Sequence, residues 1–321
     1  MKQASMAVAG IASAEEKYPK KHLWRNIRRG WQLYLIMLAP FAVLVIFNYV
    51  PMYGAQIAFR NFSVSKGITG SEWVGLHYFI RFFHSYLFWS VLRNTVFLSF
   101  YQLIAGFPFP IILALSLNYV TSSRFKKTVQ MVTYFPYFIS TVVMVGIIYQ
   151  VLDPQLGIVN RVITMLGMSP INFMGKDSLF PSIYVWSGVW QNVGYGCIVY
   201  LAALAGVDPA LHEAAVVDGA SKFQRILHVD LPAIVPVAVT ILLLQVASLL
   251  NLGFEKVFLM QNPLNLSTSE IINTYVYKVG LASTVVDFSY ASAIGLFQNV
   301  INFILLLAVN QAARRTGQAM W

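Results

Sequence analysis

Six stretches of this chain contain no Asp, Glu, Lys or Arg: residues 30–59, 94–123, 128–152, 178–207, 231–254 and 288–313, each 24 to 30 residues long. About 20 apolar residues carry an α-helix across the hydrocarbon core of a bilayer. All five histidines also fall outside these stretches. A soluble helical protein needs a charged face on each amphipathic helix, and here that face is missing. Charged residues make up only 11% of the chain and the mean hydropathy is +0.65. Lipid offers no partner for backbone polar groups, so each run must satisfy its own as a helix. The expected fold class is therefore all-α integral membrane, with six transmembrane helices.

An even number of spans places both ends of the chain on one side. With that pairing, fourteen Lys and Arg fall on the side of the termini and eight on the other. The positive-inside rule then puts both termini and the segment 208–232 in the cytoplasm. The net charge of +10 is read as orientation and attraction to anionic membrane lipid. The basic residues are dispersed and no nucleic-acid reading motif accompanies them, so nucleic acid is not expected as a partner. The apolar run after Arg29 is too long for a signal-peptide core and no small-residue cleavage site follows it. It is expected to remain as the first span.

The segments on the far side are sizeable. Residues 61–93 are rich in aromatics and carry His77 and His84, which share a face if helical. No further metal ligands are spaced to join them, so the expectation is interfacial packing and no metal site. A short helix is expected near 158–166. A longer one is expected over 268–279, capped by Ser267 and Glu270. The single cysteine, Cys197, lies inside a span and reads as a small packing residue.

Signals for chemistry are missing. There is no phosphate-binding G-x-x-x-x-G-K-[ST] loop, no G-x-S-x-G and no H-E-x-x-H. No catalytic residue, metal or cofactor is expected on this chain. No acid or base lies inside the charge-free runs, where proton-driven carriers usually place one. The energy for any pumping must then come from another subunit.

Between the fourth and fifth runs lies EAAVVDGASKFQRILHVDLP, residues 213–232. It reads as a small capped helical hairpin. Asp208 is an N-cap with Pro209 at the first helical position. Gly219 supplies a tight turn that a Cβ would resist. Ser221 and Gln224 form a capping box for a second short helix, which Pro232 is expected to stop. A compact, capped knob between two spans is a docking element.

Those residues carry a resemblance. Glu213-Ala214-Ala215, then Asp218-Gly219, then Val229-x-Leu231-Pro232 resemble the "EAA" signature of the permeases of ABC importers, with valine where isoleucine is usual. Residues 190–220 resemble carbohydrate-importer permeases throughout. Residues 253–281 resemble the polysaccharide and oligosaccharide subgroup, which includes importers of alginate-type oligouronates. The resemblance implies that Glu213, Ala214, Ala215, Asp218, Gly219, Leu231 and Pro232 couple the chain to an ATPase. It implies a tail at 1–30, a peripheral first span with its extracytoplasmic loop at 31–84, a five-span core at 85–313 containing the coupling loop 208–232, and a second tail at 314–321. It further implies a second related permease subunit, two ATPase subunits that bind the ATP and Mg, and an extracytoplasmic solute-binding protein. The implied site of action is the bacterial inner membrane, and the implied cargo is an oligosaccharide, alginate oligomers among the options.

Polar and aromatic residues within the last three runs are candidates for a sugar path: Trp186, Trp190, Asn192, Tyr195, Asn251, Gln298 and Asn302. Amides hydrogen-bond sugar hydroxyls and aromatic rings stack on sugar faces. The competing reading is that the buried amides tie helices together. From a different class, a secondary carrier or channel working without an ATPase would show the same run pattern, and strict ATP dependence separates the two.

Overall fold

The computed structural model describes residues 29–314; the tail residues 1–28 and 315–321 lie outside it. The chain divides into two units between Gln56 and Ile57. The first contains helix α1, a helical run that continues to Phe59 (Trp31–Phe59). In the rest of the chain, taken by itself, the regular structure of the described residues is helical apart from the two-residue strands β1 (Arg60–Asn61) and β2 (Glu72–Trp73). Its helices in order are α2 (His77–Phe83), α3 (Phe88–Asn118), α4 (Ser123–Tyr134), α5 (Thr141–Val151), α6 (Ile158–Met165), α7 (Phe180–Ala205), α8 (Pro209–Val217), α9 (Lys222–Ala247), α10 (Phe254–Met260), α11 (Leu266–Ser269), α12 (Ile272–Tyr277) and α13 (Phe288–Arg314).

Four of these, α1, α3, α9 and α13, are long and apolar enough to cross a membrane as single helices, and the number rises to six if each of two bent pairs is one span. That is the expected fold class, with one change in shape. The third charge-free run is not straight. Ser123–Phe138 and Thr141–Val151 meet at 105°. Pro136 lies in a tight 3-10 turn, Ile139 and Ser140 are extended, and the Ser140 hydroxyl caps α5 by accepting from Val143 N–H. Eleven residues of helix rise only about 16 Å, roughly half a bilayer, so α5 crosses only part of it. Lack of charge reports tolerance of lipid, not continuity of a helix.

A second correction concerns Pro232, which does not stop the helix that Ser221 begins. The chain runs helically from Lys222 to Ala247 through a π turn at Ile226–Asp230. The π turn ends two residues before the proline, and Leu231 N–H reaches back to Ile226 O. A wider turn makes room for the ring and absorbs the missing donor, so the helix continues. The same device precedes Pro51, where the π turn Val45–Tyr49 leads into it.

The expected helix over 268–279 is also revised. Glu270 is extended and separates α11 from α12. Thr274 Oγ1 accepts from Ile271 N–H at the start of α12. Ser267 does no capping; its hydroxyl donates to Asp177, and Glu270 pairs with Lys278 instead. The helix expected near 158–166 is present as α6. His84 Nδ1 contacts Ile80 O and His77 packs edge-on against Tyr78, and no group of three metal-binding side chains occurs among the described residues.

Three apolar clusters hold this unit together. One joins α3, α5, α7 and α10 through Leu98, Ile148, Val185 and Val257. A second gathers Phe82, Phe88, Ile272 and Ile294. The third, around Leu117, Cys197, Tyr200 and Ile234, joins the C-terminal parts of α3 and α7 to the middle of α9.

Candidate functional site

The knob has the local construction its residues imply. Asp208 Oδ1 accepts from Ala210 N–H at 2.9 Å and Pro209 opens α8. α8 ends in a Schellman arrangement: Gly219 N–H reaches Val216 O at 3.0 Å and Ala220 N–H reaches Ala215 O at 2.9 Å, with Gly219 at φ +77°. Ser221 N–H donates to Gln224 Oε1 at 2.8 Å and Gln224 N–H donates back to Ser221 Oγ at 3.3 Å. Glu213, Ala214, Asp218 and Gly219 are exposed and Ala215 is half-buried. Around them Leu211, Val216, Val217 and Phe223 are exposed, Val217 by 87%. The knob therefore offers a mixed apolar and acidic face. Leu231 packs into the third apolar cluster and Pro232 is exposed, so these two belong to the root of the knob.

That root contains a residue that sequence reasoning missed. Asp230 is fully buried. Tyr119 donates to its Oδ2 at 2.6 Å, Asn118 Nδ2 donates to its Oδ1 at 3.4 Å, and His212 Nε2 lies 3.3 Å from Oδ1. A buried carboxylate costs several kcal/mol unless it is paired and hydrogen-bonded. Here partners from the end of α3 and from α8 meet it at the end of the π turn within α9. Burial, and then the bond to Asp230, pushes the Tyr119 hydroxyl up to about 12, which keeps it a donor. The spacing of Ile226, Asp230 and Ile234 was the available signal, because i, i+4, i+8 places the acid on an apolar stripe.

A cavity of about 370 Å³ lies among α3, α7 and the end of α9. Gln102, Asn192, Gln245, Ser248 and Asn251 supply its polar wall, and Gly106, Gly188 and Gly196 leave room in it. Of the seven path candidates, Asn192 and Asn251 line this cavity. Gln298 and Asn302 do not. They are buried behind it, where Gln298 Nε2 donates to Leu250 O at 2.7 Å and Leu250 N–H donates to Asn302 Oδ1 at 3.2 Å. Both also donate to Asn251 Oδ1, at 3.1 and 3.3 Å. Their geometry is that of ties between α13 and the backbone past the end of α9. Trp186 donates to Tyr101 and packs edge-on against Phe109, while Tyr195 stacks on Tyr137 at 3.9 Å. Trp190 is half-exposed. None of these three aromatics lines the cavity.

The sequence reading passed over Ser99 and Gln102, because it sought polar groups only in the last three spans. Their spacing with Gly106, three and then four residues, marks one face of α3. The Ser99 hydroxyl is almost wholly buried, lies on the cavity wall and makes no hydrogen bond within the described residues.

Lys256 is the other unforeseen group. Its side chain folds inward from α10 and is buried, with Nζ donating to Tyr184 O at 3.1 Å and lying 5.0 Å from the centre of the Tyr184 ring. Burial pushes its amine down to about 8. No Asp or Glu among the described residues pairs with it.

Glycines let the helices meet. A Cβ on Gly194 would stand 2.0 Å from Thr133 O at the end of α4. Beside it, Gln191 Nε2 donates to Ile139 O at 3.0 Å, satisfying backbone at the break in the third crossing.

Comparison with known proteins places these features in context. Residues 106–318 match the family described as "Binding-protein-dependent transport system inner membrane component". The chain is 39% identical over 312 residues to the polygalacturonan/rhamnogalacturonan transport system permease protein YteP of Bacillus subtilis (strain 168), covering 97% of this chain and 96% of that protein. It is also 39% identical to protein LplB of the same organism, over 91% of each chain. Among solved structures, it superposes with TM-score 0.84 on a chain of a bacterial ABC transporter involved in the import of the acidic polysaccharide alginate, at 37% identity over 92% of this chain and 99% of that one. A structure of a bacterial alginate ABC transporter in complex with alginate pentasaccharide-bound periplasmic protein matches with the same TM-score at 36% identity.

Proposed function

This chain belongs to the family of binding-protein-dependent transport system inner membrane components, and from that premise we propose that it is the permease subunit of an ATP-driven importer of acidic oligosaccharides. The chain is a transport permease and not itself an enzyme. The observation that carries the reading is the capped knob, an exposed acidic and apolar face rooted by buried Asp230 in the spans. Such a face suits a separate ATPase, two copies of which would bind the ATP and Mg. A second, related permease subunit would complete the pore, and an extracytoplasmic solute-binding protein would deliver the cargo. Relatives named for polygalacturonan/rhamnogalacturonan and alginate transport support an acidic glycan as the cargo class.

In the reading adopted here, ATP closes the ATPases, the knobs move, and the spans switch access to the cavity. The complex reconstituted in proteoliposomes should import an oligogalacturonide or oligoalginate only with ATP inside and binding protein outside. Uptake by this chain without an ATPase would favour the independent carrier. In the same assay Asn192→Ala should weaken uptake about tenfold at unchanged melting temperature, the scale of one lost hydrogen bond. Asn302→Ala should instead lower the melting temperature, since its amide ties buried backbone. Matching stability losses in both variants would remove Asn192 from the sugar path.

Both termini and the knob are proposed to be cytoplasmic. A cysteine placed at Lys222 should resist a membrane-impermeant thiol reagent in intact cells, while one at Lys176 should react. Reversed labelling would rule out contact between the knob and an ATPase.

A further inference from the structure

We propose that Lys256 is the cation that selects acidic saccharides at the cavity between α3 and α7. The inference rests on the importer reading above and adds to it the group that recognises the charge.

A buried ammonium is costly unless paired, and it has three N–H donors to satisfy. Lys256 has one carbonyl and one ring face as partners, and no acid of the described residues neutralises it. Holding a carbonyl does not require a charge; a neutral donor would suffice. Beyond that ring face the cation meets no opposite charge among the described residues, and its position shows what would supply one. Gly188 lines the cavity, and a Cβ built on Gly188 would stand 3.3 Å from Lys256 Nζ. The amine therefore lies against Gly188, one of the three glycines that leave the cavity wall without a side chain. A carboxylate seated against Gly188 would meet the amine in a site of low dielectric, where attraction between charges is strong.

The rest of the wall fits the remainder of a uronate. Gln102, the Asn192 carbonyl and the Asn251 amino group lie on this wall for sugar hydroxyls, since Asn192 Nδ2 already donates to Gly188 O at 2.8 Å and Asn251 Oδ1 already accepts from Gln298 and Asn302. The buried Ser99 hydroxyl, without a partner in the chain, is an unfilled donor and acceptor on the same wall. A neutral hexose would satisfy the amides and leave the Lys256 charge unanswered, whereas a uronic acid satisfies both.

The test uses the complete reconstituted complex with two probes of equal length, an oligogalacturonide and its carboxyl-reduced, neutral form. The readout is the ratio of acidic to neutral uptake. Lys256→Met should lower that ratio about tenfold, the scale of one charge-assisted hydrogen bond. Gly188→Ala keeps the charge but puts a methyl group in the approach, and should lower the ratio in the same direction. It serves as the independent arm if Lys256→Met fails to assemble. An unchanged ratio in either assembled variant overturns the proposal. So does an equal fall in both uptakes together with a lower melting temperature, which would make Lys256 a support for Tyr184 alone. A wild-type complex that imports neither probe, nor an oligoalginate, overturns the acidic-oligosaccharide reading, and this inference with it.

Discussion

Valine at position 219 should abolish ATP-driven uptake while the chain still inserts and assembles. Gly219 stands at φ +77° and closes the Schellman turn that ends α8. Nothing lies within 4 Å of where its Cβ would point, so the effect comes from the backbone and not from a clash. The left-handed region costs an ordinary residue about 1–2 kcal/mol and a β-branched one more. The turn is exposed and is held by its own two backbone hydrogen bonds. The strained loop will therefore relax to another conformation and redirect α8, carrying Glu213 away from the position proposed for docking. Gly219→Asn should keep a large part of the activity, because asparagine tolerates this region better. Glu213→Ala should weaken coupling without altering the turn. Uptake and substrate-stimulated ATP hydrolysis, measured on the purified complex, decide the matter. Normal values in both Gly219→Val and Glu213→Ala would remove the knob from the coupling path.

The largest stability effect is expected from Gly194→Ala. A methyl group there would stand 2.0 Å from Thr133 O and 2.3 Å from Thr133 C. Both are backbone atoms at the end of α4, so no side chain can swing aside. α7 and α4 would have to separate, and the Gln191 bond to Ile139 O at the break would stretch with them. Overpacking of this kind costs about 1–3 kcal/mol, and more where backbone cannot give way. The expected result is a loss of extractable complex and a melting temperature lower by many degrees. Gly146→Ala, where no atom lies within 4 Å, is the matched control and should behave as wild type. A Gly194→Ala complex that melts like wild type would mean that the two helices do not pack this closely.

The sequence by itself determined the features that depend on neighbours along the chain or on contact with lipid. The charge-free runs set the number of crossings, because a charge in hydrocarbon is costly wherever the helix packs. The caps at Asp208 and Ser221 and the turn at Gly219 were legible because each is satisfied within a few residues. Pro136 and Pro232 were equally visible, yet only the folded chain showed that one accompanies a break and the other does not. The difference lies in what surrounds them: Gln191 satisfies the backbone at the break after Pro136, and a π turn accommodates Pro232. The same holds for the polar candidates. Asn192 and Asn302 read alike in the sequence, each an amide within a charge-free run; the packing of α13 against the end of α9 buried the second, while the first lies on the cavity wall. Asp230 and Lys256 looked like ordinary charges at the edges of apolar runs. Burial is a property of distant neighbours, so only the tertiary structure decided that Asp230 would be tied to Tyr119, 111 residues away, and that Lys256 would lie behind Gly188 without an acid to pair with.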